Sequence, residues 1–239
     1  MVGINALTRQ SARMTPLKPA NEAEEKIHKQ AILRHHGRIE KKNFSLLQKP
    51  PNQEETGIIH QLYLDTLDPS RHSFKYRVKS NNDWWMSDTA LKGFASCYPE
   101  NRNMYGKIFG GFLMRSAYEL AWAESWSFSQ CRPSCVAVDD IIFRKPVEIG
   151  SLLYLSQIIG ITEENLIQTQ VLAEVSDVTD PRKREICNIF HFTFRVQTQR
   201  ALPKVIPQGY GESMLHLDSR RRLLAAKHRL SQHEDVPIK

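Results

Sequence analysis

Cysteines are few in this sequence, and their spacing argues against two kinds of site. The four cysteines include no C-x-x-C pair and no clustered histidine partner. Zinc sites and disulfide frameworks both depend on such spacings. We therefore expect no metal site, and we expect reduced thiols in an intracellular protein. The cysteines are Cys97, Cys131, Cys135 and Cys187.

Long hydrophobic runs are also missing. No apolar run approaches the roughly 18 residues that a membrane-spanning helix requires. The first twenty residues lack the apolar core of a secretory signal. They carry Arg9, Arg13 and Lys18 with no acidic residue before Glu22, which weakly resembles a transit peptide and is equally typical of a solvated arm. We predict no membrane span from these features, and they leave a mitochondrial or a cytoplasmic location open.

Several catalytic signatures are absent as well. The chain has no G-x-S-x-G nucleophile elbow, no phosphate-binding loop of the Walker type and no metal-binding constellation. A covalent serine-hydrolase mechanism is therefore disfavoured. The net charge of +7 is compatible with a polyanionic partner, either nucleic acid or a phosphorylated small molecule. Because the basic run from Lys26 to Lys42 is interpreted as a solvated arm, we expect no nucleic-acid partner.

The most informative segment runs from Asn101 to Glu119. A polar, Asn-containing stretch leads into Gly110 and Gly111, which open an apolar helix. Glycine lets another group approach the backbone closely, and the first N–H groups of a helix have no internal partner. Such a site suits a carbonyl oxygen that becomes negative during acyl transfer. The segment therefore offers an oxyanion site, a side-chain amide in Asn103 and a possible base in Glu119.

Periodicity predicts one helix and several strands. Residues 112–128 predict a helix buried on most sides, and a shorter helix is expected over 58–64. In the final strand we expect Ile186 and the three phenylalanines on one face, with Cys187 and His191 on the other. Short connections between the strands indicate an antiparallel sheet, and therefore an α+β domain with the sheet wrapped around the helix. The predicted strands are 72–79, 91–98, 135–144, 152–161, 165–178 and 185–197.

The chain divides into three parts. Residues 1–56 contain four prolines and no core-forming pattern, so we expect an extended arm or linker, partly disordered, with a short polar helix over 21–36. Residues 57–220 carry the domain. Residues 221–239 are expected to form a basic C-terminal tail.

Long ordered stretches of residues 55–220 resemble the C-terminal half of the acyl-coenzyme A thioesterase 9 family. This resemblance implies a hotdog fold. Members of that family usually carry two such domains and are mitochondrial, so a chain with one domain implies pairing, as a homodimer or higher oligomer. The matching stretches are N-R-N-M-Y-G-K-I-F-G-G-F-L-M-R-S-A-Y-E-L-A-W (101–122), V-A-V-D-D-I-I-F-R-K-P-V-E-I-G-S-L-L-Y-L-S (136–156), N-I-F-H-F-T-F (188–194) and Y-G-E-S-M-L-H-L-D (210–218).

The resemblance also implies catalytic roles. In hotdog thioesterases a backbone N–H at the start of the central helix binds the thioester carbonyl, which matches Gly110 and Gly111. An upstream side-chain amide orients the attacking water, and a helix carboxylate takes a proton from it. Asn103 matches the amide, with Asn101 as an alternative. Many relatives have an Asp where this chain has Tyr118, so Glu119 is the expected base, and we expect partial burial to raise its pKa.

Glu119 has an alternative role, since its i, i+4 spacing also predicts an ion pair with Arg115.

The strand that follows the helix offers further candidates. Arg144 and Lys145 precede Pro146, where the family's coenzyme A tends to pass, and they are expected to contact its phosphates. Asp139 and Asp140 are adjacent, so a regular strand would point them to opposite faces, and either is a candidate to assist the water or the substrate. His191 is expected to fill a face of the sheet.

The expected function is hydrolysis of fatty acyl-coenzyme A to free acid and coenzyme A by direct attack of water. Coenzyme A is part of the substrate, and no separate cofactor is expected. A hotdog dehydratase is disfavoured because no histidine lies between His72 and His191. The remaining alternative is a catalytically inactive acyl-coenzyme A-binding or dimerisation module.

Overall fold

A computed structural model describes residues 3–4, 11–12, 16–43, 45–71, 73–139, 141, 143–176, 179–180 and 183–234. The chain forms two compact units, residues 1–51 and 52–239. Among the residues discussed above, Asp140, His72 and parts of the expected arm and tail are not among those described. Within the described ranges, no helix is long and apolar enough to cross a membrane.

The N-terminal unit consists of one short strand pair and one helix. Strands β1 (Gly3–Ile4) and β2 (Ser11–Ala12) pair antiparallel. Helix α1 (Glu22–Asn43) begins after Asn21, whose Oδ1 accepts the backbone N–H of Glu24 at 2.9 Å. Its first turn is acidic, which complements the helix dipole. The helix predicted over 21–36 is therefore present, and it continues seven residues further.

The second unit opens with α2 (Gln53–Leu64), which starts before the predicted residue 58. Asn52 accepts the N–H of Glu55 at 2.8 Å, and Glu55 Oε2 accepts the N–H of Asn52 at 3.0 Å. This reciprocal capping satisfies two free donors at the helix start. The unit boundary accordingly falls at residues 51 and 52, before the expected boundary at 56.

The strand predicted over 72–79 is wrong. Described residues 73–80 form one short turn and otherwise irregular backbone, with one isolated antiparallel bridge between Leu67 and Arg77. The Arg77 guanidinium lies between the Tyr63 and Trp85 rings and donates to the carbonyls of Pro207 and Gln208. The apolar–polar alternation in this segment thus reflects anchoring by side chains and not a β-ladder.

The main sheet has five strands: β4 (Leu91–Ser96), β5 (Pro133–Val138), β6 (Leu152–Glu163), β7 (Leu166–Ser176) and β8 (Arg184–Val196). They lie in the order β4-β6-β7-β8-β5, with every neighbouring pair antiparallel. Two further strands, β3 (Trp84–Trp85) and β9 (Val205–Ile206), pair parallel with each other. The antiparallel sheet predicted from the sequence is confirmed, although β5 pairs with β8 and not with β6, which follows it in the chain.

The long helix α3 (Gly110–Ser129) packs on one face of this sheet. Its buried stripe includes Ala117 and Ala121, whose small side chains let the helix approach the sheet closely. Phe190, Phe192 and Phe194 of β8 form the centre of this core. The expectation that α3 is buried on most sides is wrong in the single chain, because Met114 and Trp126 are exposed.

A β-bulge corrects the predicted face assignment of β8. The pairing register with β7 shifts between Ala173 and Glu174, so Cys187 is the extra residue. Cys187 consequently lies in the core, whereas Ile186 is exposed. Beyond the bulge the predicted alternation holds, and His191 points to the face opposite the phenylalanines.

A second helix covers part of that opposite face. Helix α4 (Tyr210–Glu234) packs against β5, β6 and β7. The expected tail at 221–239 is therefore corrected for its described residues, since 221–234 continue this helix. Leu223 and Ala226 are fully buried in it. Basic residues made the segment look like a solvated tail, although Leu223, Ala226 and Leu230 recur at the spacing of one helix face.

Candidate active site

A cavity of about 720 Å³ lies at the start of α3. Its walls come from three segments: the loop that precedes α3, the first turn of α3, and the stretch that follows β5. Five of the seven site residues predicted from the sequence line it. They are Asn103, Gly110, Gly111, Arg144 and Lys145.

The loop before α3 is built around Asn103. Its Oδ1 accepts the backbone N–H groups of Tyr105 at 2.9 Å and Lys107 at 3.2 Å. Gly106 follows with a φ of +74°, which glycine adopts without strain. The amide oxygen of Asn103 therefore shapes the turn, and Nδ2 is the atom left to act on a ligand. Asn101, the alternative, does not line the cavity; its backbone carbonyl accepts the N–H of Phe109 at 2.7 Å.

The first turn of α3 presents backbone donors to the cavity. No side chain caps the helix at Phe109 in the part of the chain that the structure describes. Phe109 and Phe112 donate their N–H groups to protein carbonyls, which leaves those of Gly110 and Gly111 without a partner among the described residues. The helix dipole adds partial positive charge at the same place. An oxyanion is the group that such donors stabilise best.

Two aromatic rings cover this glycine pair. A Cβ on Gly110 would lie 2.6 Å from Cζ of Phe143, and one on Gly111 would collide with the ring of Phe109. Only glycine allows the rings to approach this closely. The Phe109 side chain is 59% exposed and the Phe143 side chain is 50% exposed, so the two rings border the cavity without filling it. A ligand that reaches the two N–H groups must pack against these rings.

Glu119 lies away from the cavity of its own chain. Its side chain is 59% exposed, and its Oε1 accepts from Nε of Arg115 at 2.8 Å. The partial burial expected for a general base is therefore wrong in the single chain, and the ion pair predicted from the i, i+4 spacing is present. Tyr118 packs against Phe192 and Phe194, each at 5.7 Å between ring centroids. Burial, with the Cys135 thiol, raises the pKa of Tyr118.

Cations gather on one wall of the cavity. Arg144 and Lys145 are exposed there, and Lys107 reaches the same cavity from the preceding loop. Lys145 Nζ pairs with Glu185 Oε2 at 2.5 Å, and Lys107 pairs with Glu148. Arg144 has no carboxylate within ion-pair distance among the described residues, so its guanidinium is the best placed to bind a phosphate. Lys107 and Phe143 were not predicted from the sequence, although both fall within the stretches that carry the family resemblance.

Asp139 does not reach the cavity, which corrects its assignment as a substrate-binding residue. The carboxylate is 11% exposed and accepts from Arg229 at 2.9 Å and from Arg222 at 3.2 Å. Burial alone would raise the pKa of Asp139, but the two guanidinium groups outweigh it and hold the pKa below its usual value. The strand ends at Val138, so the predicted alternation of Asp139 and Asp140 does not apply.

His191 is buried on the face of the sheet that α4 covers. Burial and the nearby Arg222 lower its pKa to about 4, so the ring is neutral near pH 7. It lies outside the cavity lining. Within the described ranges, no group of three or more His, Cys, Asp or Glu side chains is arranged to hold a metal ion.

Comparison with solved structures identifies the class of the fold. An acyl-CoA hydrolase from Staphylococcus aureus, in complex with butyryl coenzyme A, coenzyme A and coenzyme A disulfide, matches with a TM-score of 0.57 at 19% identity, covering 63% of this chain and 93% of that one. An apo-hexameric acyl-CoA thioesterase matches with the same TM-score at 18% identity, covering 62% and 97%. The domain is therefore a hotdog fold, as predicted.

Sequence comparison then identifies the family. Mitochondrial acyl-coenzyme A thioesterase 9 of Mus musculus is 44% identical over 238 residues, which is 100% of this chain and 54% of the relative. The chain is thus a homologue of the acyl-coenzyme A thioesterase 9 family along its whole length, and it spans about half the length of that relative. No protein-family model matches the chain.

Proposed function

We propose that this chain hydrolyses fatty acyl-coenzyme A to free fatty acid and coenzyme A in a site shared between paired hotdog domains. One observation carries the proposal: a single cavity brings together Asn103, the unpartnered N–H groups of Gly110 and Gly111, and a wall of cations. These are the parts that a thioester with a phosphorylated leaving group requires. The naming of the mouse relative as an acyl-coenzyme A thioesterase supports the same reaction.

Each residue has a chemical task in this proposal. The thioester carbonyl oxygen accepts from the N–H groups of Gly110 and Gly111, which stabilise the negative charge of the tetrahedral intermediate. Asn103 Nδ2 holds the attacking water. A carboxylate takes a proton from that water as its oxygen bonds to the carbonyl carbon; the C–S bond then breaks, and the coenzyme A thiolate takes up the proton. We assign the carboxylate to Glu119.

Glu119 has to come from a second domain, because it is exposed and lies outside the cavity of its own chain. Surface features of the single chain support pairing. Met114 and Trp126 of α3 are exposed, and so is Val138 on the edge strand β5. Exposed apolar side chains on a helix beside an open sheet edge favour association. The partner is a second copy of this chain, in a homodimer or higher oligomer.

The leaving group fits the cationic wall. Coenzyme A carries a pyrophosphate and a 3′-phosphate, and Arg144 is an exposed guanidinium suited to bidentate phosphate binding. Lys145 and Lys107 add charge on the same cavity. The net charge of +7 further attracts a polyanionic substrate. We also propose a mitochondrial location, supported by the naming of the mouse relative.

A second candidate function is a catalytically inactive module that binds acyl-coenzyme A or a partner domain. The observation in its favour is the exposed ion pair between Glu119 and Arg115, which occupies the only proposed base. Such a module would retain the phosphate-binding wall and lack hydrolysis.

An assay of thiol release separates the two functions. The full chain is incubated with acyl-coenzyme A esters of different chain lengths and a thiol reagent. Hydrolysis predicts thiol release that falls about 100-fold or more in Glu119→Gln and in Asn103→Ala. Arg144→Gln should instead raise KM and leave kcat nearly unchanged.

Two matched controls sharpen the assay. Arg115→Gln breaks the same ion pair as Glu119→Gln but keeps the carboxylate, so it should retain activity. Asn101→Ala alters the neighbouring loop amide and should affect the rate less than Asn103→Ala. Binding of acyl-coenzyme A with no thiol release at any chain length would support the inactive module.

A further inference from the structure

The cation-bearing wall of the cavity has little regular structure of its own. Its described residues, 141 and 143–147, follow the end of β5 and contain no helix or strand. Two backbone hydrogen bonds hold the later part: Arg144 donates to Cys187 at 3.1 Å, and Ile108 donates to Val147 at 2.9 Å. The Lys145–Glu185 ion pair and the buried side chain of Val147 hold the same part. No backbone hydrogen bond among the described residues holds Ile141 or Phe143, so the early part of the wall takes its position from what fixes its ends.

Asp139 fixes the first of these ends. It is the residue directly after β5, and its backbone N–H donates to the His191 carbonyl at 3.2 Å. Its carboxylate then accepts from two guanidinium groups of α4, with one oxygen for Arg222 and the other for Arg229. The two arginines are seven residues apart, or about two helical turns. Bonds to both therefore fix the direction of the Asp139 side chain as well as its place.

Asp139 depends on the two arginines of α4 more than they depend on Asp139. Arg222 also donates to Asp218 one turn earlier at 2.7 Å, and Arg229 is partly exposed to water. Both arginines therefore keep a partner if Asp139 is lost. Asp139 has no such alternative, because its carboxylate is 11% exposed and its side-chain partners among the described residues are these two arginines. The start of the wall thus depends on α4 far more than α4 depends on the wall.

We infer that Asp139 is a positioning residue: by binding Arg222 and Arg229 of α4, it places Arg144 and the rest of the cavity wall for coenzyme A. Helix α4 thereby acts on the cavity from the opposite face of the sheet. The inference rests on the proposed function, because it names coenzyme A as the ligand of that wall. It differs from that proposal in giving α4, which lines no part of the cavity, a role in binding.

Two measurements on the full chain with Asp139→Asn test this inference. Binding of coenzyme A by titration calorimetry should weaken about tenfold or more, with KM rising more than kcat falls. Amide hydrogen exchange in the ligand-free chain should become faster in residues 143–147 while that of β7 stays unchanged. Asp139→Glu keeps the carboxylate and should recover part of the affinity.

Glu55→Gln is the matched control. Glu55 binds Arg221, which is also on α4, through two hydrogen bonds at 2.6 and 2.8 Å. Glu55 itself lies on α2 and does not line the cavity. Glutamine at this position also preserves the helix cap. Its affinity for coenzyme A should stay within about twofold of the wild type, even where thermal stability falls as much as in Asp139→Asn. If Asp139→Asn aggregates, Arg229→Gln removes one of the two bonds and should show the same pattern more weakly.

Two results would overturn the inference. One is unchanged exchange in residues 143–147 of Asp139→Asn. The other is equal loss of affinity in Asp139→Asn and Glu55→Gln, which would mean that α4 contributes only to stability. A wild-type chain that neither binds nor hydrolyses acyl-coenzyme A contradicts the proposed function instead, and the exchange measurement still decides whether Asp139 positions the wall.

Discussion

Gly160 shows how strictly one position can depend on having no side chain. It lies at the bulge of β6, where α4 crosses the sheet. A Cβ there would collide with Oγ of Ser219 and lie 2.6 Å from Cβ of Ser219. The Ser219 hydroxyl can rotate away, but Cβ of Ser219 is fixed to the backbone of a packed helix and cannot move aside cheaply.

We predict that Gly160→Ala lowers the free energy of unfolding by about 1–3 kcal/mol. Denaturant titration measures the change. Gly211→Ala is the control, because no heavy atom lies within 4 Å of its added Cβ. Adding Ser219→Gly to Gly160→Ala should recover part of the loss. A neutral Gly160→Ala would show that α4 does not pack here as described.

The residues that line the cavity were predicted from the sequence better than the position of the proposed general base. Asn103, Gly110, Gly111, Arg144 and Lys145 were all expected at the site, since each is tied to the helix start or to a strand end. Glu119 was assigned because it follows the position where many relatives carry the catalytic Asp, and Asp139 because it lies in the strand after the helix. Glu119 pairs with Arg115, as the i, i+4 spacing predicted. Asp139 pairs with Arg222 and Arg229, which are distant in the chain and could not be predicted as its partners from local spacing.

At the scale of elements, the interface between α4 and the sheet contains two buried histidines. His216 donates from Nδ1 to the Gly160 carbonyl at 3.1 Å, since a carbonyl can only accept. Burial, reinforced by Arg220, lowers the pKa of His216 to about 4. Burial and Arg222 do the same for His191, although Asp218 and Asp139 oppose the shift. Both rings are therefore neutral in the folded chain.

This arrangement predicts loss of stability in mild acid. Between pH 6.5 and 4 the unfolded chain protonates both histidines while the folded chain does not, so the unfolded state gains up to about 3 kcal/mol per ring. Asp139 adds little in this window, because its lowered pKa places its own loss below about pH 4. Thermal unfolding at pH 7 and pH 4.5 measures the effect.

His216→Gln should remove about half of this pH dependence, since glutamine does not titrate and can still donate to the carbonyl of Gly160. A melting temperature that stays flat between pH 7 and 4.5 would contradict the burial of both rings.

Two leucines of α4 allow a test of whether residues 221–234 belong to the folded unit. Leu223 and Leu224 are neighbours of identical chemistry, but Leu223 is fully buried and Leu224 is exposed. We predict that Leu223→Ala costs about 2–5 kcal/mol of unfolding free energy, and that Leu224→Ala stays within about 0.5 kcal/mol of wild type. Chemical denaturation compares the two. Equal small effects would indicate a solvated tail.

Element prediction succeeded where the periodicity was long and unambiguous. Strands β6, β7 and β8 and helix α3 all form where expected. The failures share one cause, which is tertiary contact that overrides the local pattern. Arg77 anchors an irregular segment by its side chain, and Asp139 leaves the strand to meet α4. The bulge at Cys187 exchanges two neighbouring faces, which no alternation of residue types reveals.

At the scale of the whole molecule, the central question is how the proposed base reaches the cavity. Asn103 and Glu119 do not meet within one chain. If two copies pair, each complete site takes Asn103 from one copy and Glu119 from the other. Two differently inactivated copies would then form one intact site per mixed dimer.

We therefore predict complementation between inactive variants. Asn103→Ala and Glu119→Gln should each be inactive alone. When they are unfolded together and refolded as an equal mixture, about half of the dimers are mixed and have one intact site of two, so activity should return to roughly a quarter of wild type. Mixing Asn103→Ala with Gly110→Val, which blocks the same half of the site, should restore nothing. Absence of recovery in the first mixture would place both groups in one chain.

The sequence alone determined that this chain forms an antiparallel sheet around a long helix, and that a glycine pair opens that helix beside an asparagine. These features follow from local periodicity and backbone freedom, which neighbouring residues along the chain encode. Only the tertiary structure decided that Phe143 covers Gly110, that Asp139 binds α4, and that the cavity forms away from Glu119. Such contacts join residues distant in the chain, and their geometry exists only once the sheet and both helices have packed.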